Sequence, residues 1–299
     1  MLDIIIIGAG PAGLTAALYA RRADKTVLIL EKNGFGGQMT FSPKIENYPG
    51  FSDISGNELA DKMVEQVLAQ GADVEIEEVL SIEKTPLGFT VITDCGKYEC
   101  RAVIAALGAK HRMLGVPGED KFIGDGISFC AVCDGAFYTG KDVVVVGGGN
   151  SALQEALQLS DICSSVFIVQ NLPYFTGEEK LIQEVMQKPN ISYITDSVVK
   201  EFYGDETFEG IVIVKNGTEI IRKKTDGVFV AIGLQPENTI LDSLAEIDNY
   251  GYVSADERCI TETPGLFVAG DCRSKKIRQI STAIADGAAS ALAAIEFIR

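Results

Sequence analysis

Leu2-Asp3-Ile4-Ile5-Ile6-Ile7-Gly8-Ala9-Gly10-Pro11-Ala12-Gly13 is the stretch that decides the fold. Its apolar run fits a parallel strand buried on both faces. The glycines follow at once, and an Ala/Leu-rich helix runs to about Arg22. A second apolar strand over residues 26–30 ends at Glu31. Glycines at this spacing let the backbone turn tightly and approach a pyrophosphate seated on the helix N-terminus. Glu31, at the tip of the second strand, is placed to accept hydrogen bonds from a ribose. Strand, motif, helix, strand and acid together specify a dinucleotide-binding unit.

The unit recurs. Residues 142–146 form a strand, Gly147-Gly148-Gly149-Asn150-Ser151-Ala152 a glycine turn, and a helix to about Ser160 precedes a strand over 166–169. At the offset that separates Gly8 from Glu31, the second copy has Gln170. An NAD site wants an acid there, and an NADP site wants nearby arginines. Residues 170–176 carry no charge. The second copy therefore keeps the fold of a nucleotide unit without the side chains that grip a nicotinamide cofactor.

Between the copies lies Phe129-Cys130-Ala131-Val132-Cys133-Asp134-Gly135. A Cys-x-x-Cys pair closes a small disulfide or opens to a dithiol with one thiolate poised for attack. Asp134 supplies a carboxyl that can carry a proton to or from sulfur. Half a zinc site is the competing reading, but it needs about two more ligands at matching spacing. His111 is the only histidine, and no second Cys-x-x-Cys exists, so redox chemistry is favoured and no metal is expected. His111, between Lys110 and Arg112, reads as a solvated linker residue and not as a base. Cys95, Cys100, Cys163, Cys259 and Cys272 read as structural.

Elsewhere, residues 34–38 and 46–50 read as loops, with Gln38 and Asn47 as polar candidates for a cofactor, and residues 56–71 as a helix. Residues 74–104 and 191–226 alternate as antiparallel strands. Residues 103–107, ending at Gly108, read as a return to the parallel sheet. Near the C-terminus a strand ends in Gly270-Asp271, where an aspartate suits a ribityl or phosphate-linked hydroxyl, and a small-residue helix follows over 281–298. Linker signals at Pro117-Gly118 and residues 234–236 divide the chain into 1–109, 110–234 and 235–299. The expected architecture is α/β, with two Rossmann-like domains and the central one inserted into the other.

With 46% hydrophobic and 23% charged residues, the composition is that of an ordinary globular chain. No apolar run reaches the ~18 residues of a membrane span, and the N-terminal run reads as a strand and not as a signal. An odd seven cysteines without a signal suit a reducing cytoplasm. A net charge of −16 argues against nucleic acid and anionic membrane as partners.

Gly8–Gly13, Glu31, Gly36-Gly37-Gln38, residues 46–50, Cys130–Asp134, Gly147–Ala152, Ala231-Ile232-Gly233 and residues 270–279 occur in an order and spacing that resemble the low-molecular-weight thioredoxin reductase family of flavoproteins. The resemblance implies FAD held by Gly8, Gly10, Pro11, Ala12, Gly13, Glu31, Gly37, Gln38, Asn47, Gly108, Gly270, Asp271, Arg278, Gln279 and Ile280. It also implies a homodimer and a central domain that swings at its linkers. Cys133 would meet the flavin, Cys130 would attack thioredoxin, and Asp134 would move the proton.

One departure matters. NADPH-using members carry His-Arg-Arg and a further Arg where this chain has Gln170, Asn171, Leu172 and Thr176. Each lost charge-assisted contact removes roughly 1.5–3 kcal/mol. The pattern is similar to ferredoxin-dependent flavin thioredoxin reductases, with ferredoxin or flavodoxin as donor. An atypical NAD(P)H site and a flavin redox sensor without turnover are the other readings. Arg273, Lys275 and Lys276 are expected to face such a donor, and Arg278 the cofactor.

Overall fold

The computed structural model describes residues 1–42 and 44–299. In chain order the first elements are β1 (Leu2–Ile7), α1 (Pro11–Arg22), β2 (Val27–Glu31), α2 (Gly56–Ala69), β3 (Asp73–Ile76), β4 (Val79–Thr85), β5 (Gly88–Thr93), β6 (Lys97–Ala105) and β7 (Ala109–His111). Next come α3 (Glu119–Phe122), β8 (Ile127–Ser128), α4 (Ala131–Asp134), β9 (Asp142–Val146), α5 (Asn150–Ser160), β10 (Ser165–Val169), α6 (Glu179–Gln187) and β11 (Ile191–Ile194). A three-strand meander follows: β12 (Ser197–Tyr203), β13 (Gly210–Lys215) and β14 (Glu219–Lys224). The last elements are β15 (Gly227–Val230), β16 (Leu234–Pro236), β17 (Leu266–Val268) and α7 (Ile280–Phe297).

The chain forms two compact units, one of residues 1–43, 48–110 and 235–299, the other of 44–47 and 111–234. Strands β7 and β16, where the chain leaves and re-enters the first unit, pair with each other.

In the first unit the sheet runs β3-β2-β1-β6-β5-β4, with β17 also on β6. Strand β3 is parallel to β2, so only β4 and β5 of this stretch add antiparallel pairs. Ile4, Ile5 and Ile6 are wholly buried because helices cover one face of β1 and a second apolar cluster covers the other. Helix α7 is long and apolar enough to cross a membrane by composition alone. Its small residues instead pack on α1: a Cβ on Gly287 would stand 2.2 Å from the Ala12 carbonyl oxygen. It is the core helix of this unit.

The second unit has a parallel sheet, β11-β10-β9-β15-β8, beside the β12-β13-β14 meander. That meander turns at Asn216 and Gly217, both left-handed (φ 50° and 75°), the signature of an Asn-Gly hairpin. Strand β9 is buried along Val143–Val146, with α5 on one face.

Candidate functional site

The cysteine pair sits at the end of β8. Ser128 lies on that strand, Phe129 follows it, and Cys130 is the N-cap of the one-turn helix α4, in extended conformation. Cys133 is one turn further on, which brings the two Cα atoms to 5.3 Å, within the range a disulfide needs. The bond is formed, and the Cys133 N–H donates to Cys130 Sγ at 3.2 Å. Both cysteines are half-buried, while Val132 between them is exposed.

Ser128 ties the strand to the acid. Its hydroxyl donates to Asp134 Oδ2 at 2.6 Å and accepts from the Cys130 N–H at 3.1 Å. The other carboxyl oxygen, Oδ1, is buried with no hydrogen-bond partner. Burial pushes the Asp134 carboxyl up, and the Ser128 bond only partly offsets this. A carboxyl with one tethered oxygen and one unpaired oxygen beside a disulfide is arranged to hold or release a proton.

His111 is half-buried, not a freely solvated linker residue. Its ring stacks on Phe129 at 4.7 Å between centroids, and burial lowers it to about 4. It stays neutral at pH 7 and braces the residue before Cys130. Sequence reading also missed Ser128 and Glu155. Glu155 is an acid on the α5 face that carries the buried Ala152, Ala156 and Leu159, and an acid on such a face is the signal that could have found it.

The first glycine turn is built for a ligand. Gly8 is left-handed (φ 103°), and a Cβ there would stand 2.3 Å from the Ala106 carbonyl oxygen. Gly13 lets α1 close on the turn, since a Cβ would meet the Gly8 oxygen at 1.9 Å. Gly10 is different: its backbone is extended (φ −77°), and nothing lies within 4 Å of its Cβ position. Neither strain nor packing demands glycine there, so the open space itself is the feature, as for a pyrophosphate at the N-terminus of α1. Pro11 and Ala12 begin that helix.

Glu31 accepts from the Ala9 N–H at 2.8 Å and from the Asn33 N–H at 3.0 Å, and remains half-exposed at the strand tip. Gly36 donates to the Ala9 carbonyl at 2.9 Å, so Gly37 rests against Gly10. Gln38 lies in the exposed 3-10 turn Gly37–Phe41, not in a loop. Gly108 is left-handed with open space beside it. Asn47 falls in the short segment grouped with the second unit.

At the end of β17, Gly270 (φ 81°) presses on Ala12 and turns the chain to Asp271. Asp271 Oδ1 is buried without a hydrogen bond, and burial raises its carboxyl despite an ion pair with Lys275 at 3.3 Å. Arg278 stacks on Tyr252 and donates to the Asp271 carbonyl at 3.3 Å. Gln279 caps α7, reciprocally with Thr282, and Ile280 is its first residue. Open glycines and a buried carboxylate oxygen that takes no hydrogen bond, only the Lys275 ammonium at 3.3 Å, fit a flavin dinucleotide.

The neighbouring cations do not face outward as expected. Arg273 and Lys275 side chains are only 15% and 9% exposed, and Asp286 of α7 takes both. Its carboxylate accepts from Arg273 Nε and Nη2 at 2.9 Å, Lys275 Nζ at 3.0 Å and the Gly270 N–H at 3.1 Å. Lys276 alone of the three is exposed. Cys100, Cys163, Cys259 and Cys272 are buried thiols, whereas Cys95 is exposed.

The second glycine turn repeats the backbone. Gly147 is left-handed (φ 133°) against the Ala231 carbonyl, and Gly149 is extended (φ −87°). The Thr176 and Gly177 N–H groups donate to the Gly148 carbonyl at 2.8 and 3.1 Å. Gln170 is 3% exposed, its amide against Gly148, donating to the Tyr174 carbonyl and accepting from the Asn171 N–H. At the start of α5, Asn150 accepts from the Glu178 N–H at 2.7 Å and donates to Glu178 Oε1 at 3.1 Å. A carboxylate thus stands by the helix end that a pyrophosphate would use.

The sequence profile of the pyridine nucleotide-disulphide oxidoreductases matches residues 2–287. The chain belongs to that family of two-domain redox proteins, and within it to the low-molecular-weight thioredoxin reductases. A thioredoxin reductase of Listeria monocytogenes is 41% identical over 95% of this chain and 90% of its own. The 34.2 kDa protein in the rubredoxin operon of Clostridium pasteurianum is 42% identical over 99% and 97%. The crystal structure of thioredoxin reductase from Streptococcus pyogenes superposes with a TM-score of 0.95 at 39% identity, covering 99% of this chain and 98% of that one.

Proposed function

We propose that this protein is an FAD-dependent thioredoxin reductase that takes its electrons from reduced ferredoxin and not from NADPH. The observation that carries the choice of donor is the second glycine turn. It offers Glu178 at the N-terminus of α5, a buried Gln170 in place of an acid, and no cation in residues 170–178. A negative charge there opposes the phosphates that a helix N-terminus otherwise attracts. Flavodoxin would serve as donor by the same route, and the family resemblance supports a cytoplasmic homodimer.

In the first unit, Gly8, Gly10, Gly13, Glu31, Gly37, Gly108 and Asp271 would hold FAD, with Arg278, Gln279 and Ile280 beside it. FAD so bound supplies the exchange between single electrons and an electron pair. Cys130 and Cys133 carry the pair as a dithiol, and Asp134 handles the sulfur proton. Plant-type ferredoxins lie near about −400 mV. Thioredoxin lies near about −270 mV, so the two-electron transfer is downhill by about 6 kcal/mol.

The reading is tested by driving thioredoxin reduction with chemically reduced ferredoxin. The parent should turn over, while Cys133→Ser should retain FAD and lose at least about a thousandfold in rate. Parent-like turnover by the variant would remove the cysteine pair from the mechanism. Failure of the parent with ferredoxin would remove the donor.

A further inference from the structure

We propose that Glu155 is a second proton-holding group behind the disulfide, exchanging protons with Asp134 so that both protons of the Cys130–Cys133 dithiol can leave as it closes. The inference rests on the dithiol chemistry proposed above, but not on the identity of the electron donor.

Glu155 lies on the α5 face that packs on α4 and the turn after it. Leu159, one turn further along that face, would touch a Cβ on Gly135 at 3.3 Å. Ala131, the first residue of α4, is buried in the same cluster as Ala152, Ala156 and Leu159. The Ala131 backbone N–H pulls the Glu155 carboxyl down against burial, which sets that carboxyl close to the first turn of the helix bearing both Cys133 and Asp134. Positions three apart on a helix are neighbours, which places Asp134 beside the Ala131 anchor.

Each acid also has an oxygen to spare. Glu155 Oε2 and Asp134 Oδ1 are both buried and lack hydrogen-bond partners. A buried ionised oxygen with no donor is costly, whereas a protonated one can serve as donor. Burial, and then the charge of Asp134, raise Glu155 to about 7, so it is half-protonated near neutral pH.

The cations beside the turn after α4 are engaged there: Lys44 lies over the Phe137 ring and pairs with Glu46, and Lys141 lies over the Tyr138 ring. Tyr138, in the turn after α4, is raised to about 12 by burial and is neutral, as is His111. Lys188, at the end of α6, is taken by Asp161 at 2.5 Å. Glu184 of α6 lines a surface groove together with Asp161 and Lys188.

The step balances without a further reagent. When the dithiol reduces a partner disulfide, two S–H bonds and the partner S–S bond break. One enzyme S–S bond forms, and the partner gains two S–H bonds. Asp134 takes the first thiol proton, passes it to Glu155, and is free to take the second. With one carboxyl, the second proton must wait for solvent.

The test uses the FAD-loaded enzyme reduced with dithiothreitol, freed of it under argon, and mixed with Ellman's reagent from about pH 5 to 9. The thiolate leaving this reagent needs no proton, so the rate of the second thiolate release reads proton acceptance alone. Glu155→Gln keeps the side chain's size and its acceptor oxygen while removing the titrating group. It should lose the parent's inflection near neutral pH and run several-fold slower there. It should rejoin the parent near about pH 9, where thiols ionise unaided. The double variant with Asp134→Asn should be no slower than Asp134→Asn alone, as two members of one relay require. A Glu155→Gln profile that keeps the parent's shape, or is lowered equally at every pH, overturns the inference. A parent dithiol that does not exchange at all overturns the dithiol reading, and this inference with it.

Discussion

The two glycine turns have nearly the same backbone and opposite chemistry. In each, the first glycine is left-handed against the carbonyl of a neighbouring strand end, and its N–H donates to the end of the next strand, Gly8 to Leu30 and Gly147 to Val169. In each, the third loop position is extended and caps a helix. In each, a returning segment donates to the carbonyl of the middle residue. They diverge only in side chains. The first has a half-exposed Glu31, empty space at Gly10 and nearby a buried Asp271 oxygen without a hydrogen bond. The second has a buried Gln170 and Glu178 bonded to Asn150. Fold is therefore carried by glycine and strand, and ligand choice by a handful of polar atoms.

The largest effect should come from the support that only the first turn has. Asp286 holds Gly270, Arg273 and Lys275, and its removal strips the mostly buried Arg273 of its carboxylate and leaves Lys275 with Asp271 alone. Asp286→Asn should cost about 3–5 kcal/mol at pH 7. Burial alone would raise this carboxyl, but Arg273 and Lys275 outweigh it and hold it below its ordinary value. A depressed carboxyl contributes stability above its unfolded pKa and loses it as pH falls through the folded one. The gap between variant and parent in urea unfolding should thus be full at pH 7 and shrink only below about 3.8. An equal gap at all pH would mean that packing, not charge, supports the first turn.

A paired substitution probes the space itself. Gly10→Val should leave the FAD-free protein as stable as the parent, because nothing lies within 4 Å. It should weaken FAD binding by about a hundredfold or more, since the side chain enters the pyrophosphate space. Gly149→Val meets only Thr176, at 3.7 Å, and should change neither FAD affinity nor turnover. Equal losses in both variants, read by flavin fluorescence, would erase the distinction between the turns.

Much of this was legible in sequence because it is local. A buried strand running into Gly-x-Gly-x-x-Gly, and Cys-x-x-Cys-Asp, each span fewer than about fifteen residues and have steric or chemical rules of their own. What was not legible depends on partners distant in the chain. Arg273 and Lys275 read as surface cations because Asp286, on an alanine-rich helix, gives no local sign of turning towards them. His111 between two cations read as solvated, yet it is half-buried and its ring stacks on Phe129. The uncharged 170–176 segment was visible, but the inward turn of Gln170 and the Asn150–Glu178 exchange were not, because both are tertiary contacts.

The claim that the second turn no longer serves a nicotinamide is tested most directly by anaerobic stopped flow on the FAD-loaded enzyme. Absorbance of the oxidised flavin is followed on mixing with NADPH, with NADH, and with reduced ferredoxin. The account predicts rapid bleaching by ferredoxin and none by either nucleotide at about millimolar concentration, where a site worth only ~4 kcal/mol would already be half filled. Bleaching by NADPH within a turnover time would contradict it.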